Sequence, residues 1–416
     1  MLWKFSPRWA PRRLGAAVLV LAALPVLAQS PAAPPANLAE AFAQAWARQP
    51  EQAAAQARRD ASGAQRAAAE RWTPEPPALQ ASLKSDRLTG NDGAYEIEAG
   101  VSVPLWLPRE RALTQAQADA EGLALESRLR AMQWRLAGQL REAWWGWQLA
   151  LLEQQAALAR HDNAAQLARD VARRVAAGDL SRADQNQADG AVATAQAEQA
   201  EAEAALVQAR QALAALGVAA PGAGGAEPRP ATLVDPTPAA DHPALAELDD
   251  RARLARHAQE LAAVQKRANP ELTLLAGRER GARGEPYARS LSFGVRVPLG
   301  SSSGHRVKVA MASAERIEAE QAHLLEVQRL AADSAAAQAR LAAASAVAEA
   351  SARRVALAQQ TRGFYDKSFR LGESDLPTRL RVEQEAHEAE RQSARARVAV
   401  DQAVSTLRQA LGLLPQ

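Results

Sequence analysis

Along this 416-residue chain the spacing of apolar and polar residues goes from helical to alternating and back, and the whole cycle then repeats. From Asn37, a good N-cap, to about Arg71 the pattern is helical, interrupted near its middle at Gln49-Pro50-Glu51 and stopped by Pro74, Pro76 and Pro77. Leu79, Ala81 and Leu83 then alternate with Gln80, Ser82 and Lys84. After a turn-rich segment, Tyr95, Ile97, Ala99, Val101, Val103 and Leu105 alternate with Glu96, Glu98, Gly100, Ser102 and Pro104, a strand pattern held over eleven residues. Beyond Pro108 the helical period returns and runs to Ala177, a rod of about 100 Å at 1.5 Å per residue. Its seam of Leu129, Met132, Leu136, Leu140, Ala143, Trp147 and Leu151 steps by three and four, as a coiled coil does. Gly178 breaks this helix, and a second one returns to Gly217.

The breakers Pro50, Pro77, Gly100, Gly178 and Gly217 recur as Pro243, Pro270, Gly294, Gly372 and Gly412, at offsets of 193, 193, 194, 194 and 195. Such a register means a duplicated β-β-α-α unit with a short helix in front. The first copy, 29–218, is expected to hold a helix 37–71, strands 78–84 and 95–105, a long helix 109–177 and a return helix 179–217. The second, 242–416, is expected to hold a helix 243–268, strands 271–277 and 287–299, a long helix 306–371 and a return helix 376–411. The Pro-, Gly- and Ala-rich stretch 219–241 reads as a linker, and 278–286 as a loop. Because the offset grows from 194 to 195, the second helical turn is expected to be one residue longer than the first. Arg289 falls on the apolar face of the last strand, a position that suits a membrane edge.

Eleven alternating residues are the length of a tilted membrane strand. Residues 1–28 have the form of a signal peptide: Lys4, Arg8, Arg12 and Arg13 precede an apolar run from Leu14 to Leu27 that ends at a small-residue cleavage site, Val26-Leu27-Ala28. An exported chain with four membrane strands cannot close a barrel, and open strand edges in lipid leave backbone groups unpaired at several kcal/mol each. Other copies must supply the missing strands. Two copies would give eight strands; three would give twelve, with room for a lumen lined by Glu96, Glu98, Ser102, Ser292 and Arg296. The return helix covers half the long one, and the helix before the strands has the missing length. Stacked end to end, they give each repeat two full struts and the chain four.

The sequence pieces Arg48-Gln49-Pro50-Glu51, Asn269-Pro270-Glu271-Leu272, Gly100-Val101-Ser102-Val103-Pro104-Leu105 and Gly294-Val295-Arg296-Val297-Pro298-Leu299 resemble those of the TolC-type outer-membrane efflux channels, as do the turns Ala177–Ser181 and Leu371–Leu376. The compact length and the Val-Pro-Leu strand ends look most like the heavy-metal (CzcC-like) branch. The resemblance implies a mainly α protein with a membrane β-barrel. It would be a homotrimer with twelve strands in the outer membrane of a Gram-negative bacterium and a twelve-helix tunnel of long coiled-coil hairpins in the periplasm. It implies a passive duct for heavy-metal cations or small toxic compounds, docked on a periplasmic adaptor (a membrane fusion protein) and an inner-membrane pump of the resistance–nodulation–division (RND) type. The tips Gly178, Asp179, Leu180 and Ser181, with Gly372, Glu373, Ser374, Asp375 and Leu376, would meet the adaptor, with Leu180 and Leu376 exposed on their loops. Thr378, Arg381 and Glu385 fall where the family has its periplasmic gate. Tyr95 and Tyr287, at the loop ends of strands, suit a membrane aromatic belt.

Composition changes this picture only by exclusion. The chain has no cysteine, so neither a thiolate site nor a lipid anchor is expected. Its six histidines, His161, His242, His257, His305, His323 and His387, show no metal-ligand spacing, and no nucleophile signature or nucleic-acid footprint is read, so neither a cofactor nor an enzyme activity is expected. Trp144, Trp145 and Trp147 lie mid-helix, too far from the strands for a belt, and are expected to pack on 37–71 and 241–268. The competing readings are a type I secretion channel and a periplasmic coiled-coil adaptor or scaffold, although an adaptor has one hairpin where this chain has two.

Overall fold

The computed structural model describes residues 34–88, 90–219, 225–230, 241–300 and 304–416. The signal-peptide segment and most of the linker lie outside the described residues.

Two helices, α1 (Leu38–Ala47) and α2 (Pro50–Ala69), lead into strands β1 (Ala78–Ser85) and β2 (Tyr95–Pro104), the long helix α3 (Glu110–Ala176, 67 residues) and its return helix α4 (Arg182–Ala215, 34 residues). The second copy runs α5 (Pro243–Val264), β3 (Glu271–Arg280), β4 (Ala288–Arg296), α6 (His305–Arg370, 66 residues) and α7 (Leu376–Ala410, 35 residues). The region expected as one helix, 37–71, is two, because Pro50 has no N–H to continue the first and instead opens the second at its first turn.

The struts assemble as the lengths require. α2 lies antiparallel along the first half of α3, tied by Arg59–Glu126 at 2.7 Å and Arg66–Asp119 at 2.6 Å. α4 covers the second half, and where they meet Leu38, Ala41 and Ala45 of α1 share one core with Leu206 and Leu213 of α4 and with Trp144, Trp145 and Trp147 of α3. The tryptophans therefore pack on α1 and α4. The 241–268 region is met by Trp134 instead, against Ala244, Leu245 and Leu330, with its indole stacked edge-on to His242 at 5.0 Å. α5 and α7 divide α6 in the same way, with Arg256–Glu320 on one half and Arg362–Glu383 on the other.

Two polar knots tie the repeats. At the top, buried Glu110 opens α3, its carboxylate accepting from the Leu107 N–H at 2.9 Å and from the side chains of Gln265 (2.9 Å) and Asn269 (2.8 Å). Those contacts draw the chain out of helix at Gln265, so α5 stops at Val264 rather than near 268. At mid-height, Glu227 from the connector reaches in between the repeats. Its carboxylate takes Arg141 Nε at 2.9 Å and Nη2 at 2.7 Å, and Arg408 Nε at 3.2 Å, with all three side chains buried.

The four strands form one antiparallel sheet in the order β1-β2-β3-β4, with the outer edges of β1 and β4 unpaired within the chain. β3 runs three residues further than expected, to Arg280, because Arg278 and Arg280 pair with Ile97 and Tyr95 and Arg280 Nε donates to the Gly93 carbonyl. β4 ends at Arg296, short of 299.

Candidate functional site: sheet faces and helical tips

The register places Leu79, Leu83, Ile97, Val101, Leu272, Leu274, Leu291, Phe293 and Val295 on one face of the sheet. Leu79, Leu291 and Phe293 are each more than 70% exposed. On the inner strand β2, Ile97, Ala99 and Val101 are exposed while Glu96, Glu98 and Gly100 are half-buried and Ser102 is buried. A sheet packed on a soluble core would bury its apolar side; this one turns that side outward. All five residues expected to line a lumen, Glu96, Glu98, Ser102, Ser292 and Arg296, share the other face. There Lys84 pairs with Glu96 at 3.4 Å and the Ser82 hydroxyl donates to Glu98 at 3.3 Å. The two Gly-Val-x-Val-Pro-Leu motifs are not equivalent. A Cβ on Gly100 would lie 2.0 Å from the Leu274 carbonyl oxygen, whereas one on Gly294 would meet only the Thr273 hydroxyl.

Tyr95 and Tyr287 lie at the hairpin-loop end of the sheet, edge to face at 6.4 Å. The Arg278 guanidinium stacks over the Tyr287 ring at 3.9 Å, with Arg280 at 5.1 Å.

At the opposite end of the molecule both helical turns are built alike. Gly178 and Gly372 adopt φ of +88° and +78°, and each closes a Schellman motif, with Asp179 N donating to the Arg174 carbonyl and Glu373 N to the Ser368 carbonyl, both at 2.9 Å. Three residues later the next helix is capped. Ser181 forms a capping box with Asp184, and Asp375 accepts from the Thr378 N–H at 3.2 Å. Those hydrogen bonds hold the Asp184 and Asp375 carboxyls below the ordinary carboxylate range; for Asp375 the Thr378 side chain contributes most. Glycine and cap are equally spaced in the two turns, so the expected longer second turn is absent. The extra residue lies in α7, 35 residues long against 34 for α4.

The leucines also differ from expectation. Leu376 is the first residue of α7 and is buried, and Leu180 is half-buried, both in a core with Leu167, Val171 and Phe369 that joins the two hairpins. Phe369 lies between the guanidiniums of Arg174 (4.8 Å) and Arg379 (4.7 Å), and Arg379 pairs with Asp366 at 2.7 Å. The exposed apolar residue at the tips is Leu371. Gly178, Asp179, Ser181, Gly372, Glu373 and Asp375 are also exposed, and Ser374 is half-buried. The sequence pattern gives no signal for Leu371 and Phe369, one and three residues before Gly372, because the contact positions of this Schellman turn are Ser368 and Glu373.

Of the expected gate residues, Arg381 and Glu385 pair with each other at 2.8 Å along the exposed side of α7, and Thr378 is engaged in the helix cap. Burial holds the imidazoles of His242 and His387 below their ordinary pKa. His242 caps α5 through Nδ1, which accepts from the Ala244 N–H at 3.2 Å. Among the described residues no group of three His, Asp or Glu is placed to hold a metal ion, and no helix is long and apolar enough to cross a membrane.

Residues 41–217 match the sequence profile of the family described as outer membrane efflux protein. The fold is that of CusC, whose crystal structures were described for folding and transmembrane channel formation (TM-score 0.72, 18% identity, covering 91% of this chain and 92% of that one). It is also that of the outer membrane protein VceC from Vibrio cholerae (0.72, 16%, 90% and 96%) and of the open-state MtrE outer membrane channel from Neisseria gonorrhoeae (0.64, 16%, 91% and 89%). No curated protein matches in sequence. The chain thus resembles the TolC-type outer-membrane efflux channels in sequence over its first repeat and in fold over nine-tenths of its length.

Proposed function

We propose that this chain is the outer-membrane duct of a tripartite efflux system, closing with two further copies into a twelve-stranded barrel on a twelve-helix tunnel. One observation carries the reading: an open four-stranded sheet with its apolar face exposed, joined to four struts of the same chain. In lipid the free edges of β1 and β4 have to be satisfied by strands from other copies. The outward apolar face then meets lipid, and the face with Glu96, Glu98 and Ser102 meets water.

In this assembly the duct works by position. Substrates leave the periplasm through it passively, as heavy-metal cations or small toxic compounds delivered by an RND-type inner-membrane pump. The scattered His, Asp and Glu residues suit a conduit better than a binding protein. The adaptor meets the tips at Asp179, Ser181, Glu373 and Asp375, with Leu371 as the apolar contact, while Arg381 and Glu385 border the periplasmic opening. Tyr95 and Tyr287 sit in the outer interface.

The test is expression in a Gram-negative host and extraction of outer membranes. Trimers that dissociate only on heating, and that give discrete conductance steps in planar bilayers, are expected. A monomer that conducts nothing would overturn the reading.

A further inference from the structure

The outward sheet face is apolar along most of its length and then abruptly cationic. The register sets Arg278 directly opposite Arg289, and Arg280 lies two residues on, on the same face. Like charges facing each other across an antiparallel pair are destabilising, and among the described residues no carboxylate forms an ion pair with any of the three. Arg278 and Arg280 are nonetheless held in place, both stacked against the one Tyr287 ring, which itself packs on Tyr95. A preorganised cationic cluster with no internal counter-charge is complementary to an external anion.

Position narrows the anion. The cluster lies at the hairpin-loop end of the sheet, away from the helical struts. Within the paired strands the outward apolar rows run from Leu272 and Val295 to Arg278 and Arg289, a rise of about 20 Å along the strand. The three arginines end those rows on the side away from the struts, where lipid headgroups begin in the proposed barrel.

Resting on the proposed barrel, we infer that Arg278, Arg280 and Arg289, braced by Tyr287, form a site on the outer wall for the phosphorylated sugar headgroup of an outer-leaflet glycolipid. The guanidinium forks suit phosphate oxygens, and the apolar residues around them, Leu83 and Ile97 in the same row and Leu291 in the next, suit the acyl chains. Three copies around the barrel would anchor it to the outer leaflet.

The experiment uses the full-length trimer in detergent, stripped of native lipid and titrated with lipid A by native mass spectrometry. Dephosphorylated lipid A and inorganic phosphate serve as parallel probes. Lipid A is expected to bind, its dephosphorylated form to bind far more weakly, and phosphate not to displace it. R278A/R289A should weaken lipid A binding about thirtyfold, and Arg289→Gln alone, on the edge strand, about fivefold. R278K/R289K, which keeps the charge but loses the forks and the stacking on Tyr287, should lose part of the affinity, and R296A, on the opposite face, none. Unchanged affinity in R278A/R289A or in Arg289→Gln, binding that ignores the phosphates, or displacement by inorganic phosphate would each overturn the inference. Conducting trimers that fail to bind lipid A overturn this inference alone, whereas a parent protein that neither trimerises nor conducts overturns the channel reading.

Discussion

Glu227 is the residue whose removal should cost this fold most for its size. It lies in the connector between repeats, where composition predicts nothing but slack, yet its carboxylate is buried between Arg141 of α3 and Arg408 of α7. Both arginines also donate to carbonyls, Arg141 to Leu413 at 3.0 Å and Arg408 to Pro228 (3.1 Å) and Leu414 (3.2 Å), so the triad fixes the connector and the C-terminal end together. Glu227→Ala leaves two guanidinium charges buried with carbonyls alone for company. Breaking a buried ion pair from one side costs roughly 3–5 kcal/mol, because the stranded charge keeps its desolvation penalty. Spread over the entropy of unfolding of a chain this size, that is a melting shift of about 4–6 °C. The assay is circular dichroism of the detergent-solubilised protein at 222 nm, in low and in high salt, since a buried triad is little screened. The apolar triple variant R141M/E227L/R408M is the control: with no charge stranded, it should melt at or above the parent. A Glu227→Ala protein within a degree of the parent, or a triple variant as weak as Glu227→Ala, would refute the reasoning.

Three further outcomes follow from the geometry. Gly100→Ala should remove most heat-modifiable trimers from outer-membrane fractions, because its Cβ would meet β3 backbone, while Gly294→Ala displaces only a hydroxyl and should be tolerated. At the tips, Asp179→Lys or Leu371→Arg should lower drug or metal tolerance to that of a deletion strain with trimers intact. Asp375→Lys should do the same in that resistance assay, with a lower melting temperature as well because the helix cap goes with the charge. The buried His242 has a folded pKa below its unfolded value of about 6.5, so the unfolded chain protonates first. Stability should therefore fall as pH drops from about 6.5 through the folded value, and His242→Asn should flatten that part of the melting profile.

What could be read from the chain and what could not divides along one physical line. Periodicity reports which side of an element is apolar, and that was enough for two copies of a strand pair, a long rod and a return helix, and for the polar sheet face of Glu96, Glu98 and Ser102. It cannot report where an apolar face is spent. Leu376 looked like a loop residue offered to a partner, but Asp375 caps α7 directly before it and turns it into the core with Phe369. The longer offset of the second repeat looked like a longer turn, but both turns follow one Schellman-and-cap geometry that admits no extra residue, so the insertion went into the helix behind it. The error over Arg278 and Arg280 is the instructive one. Alternation stopped being apolar at Ala276, so the strand was expected to stop too, although backbone pairing with Ile97 and Tyr95 carries on to Arg280. In the proposed barrel, a strand leaving lipid keeps its period and changes its chemistry. In such a sheet the end of the apolar pattern marks the edge of the membrane, and the end of the strand lies beyond it.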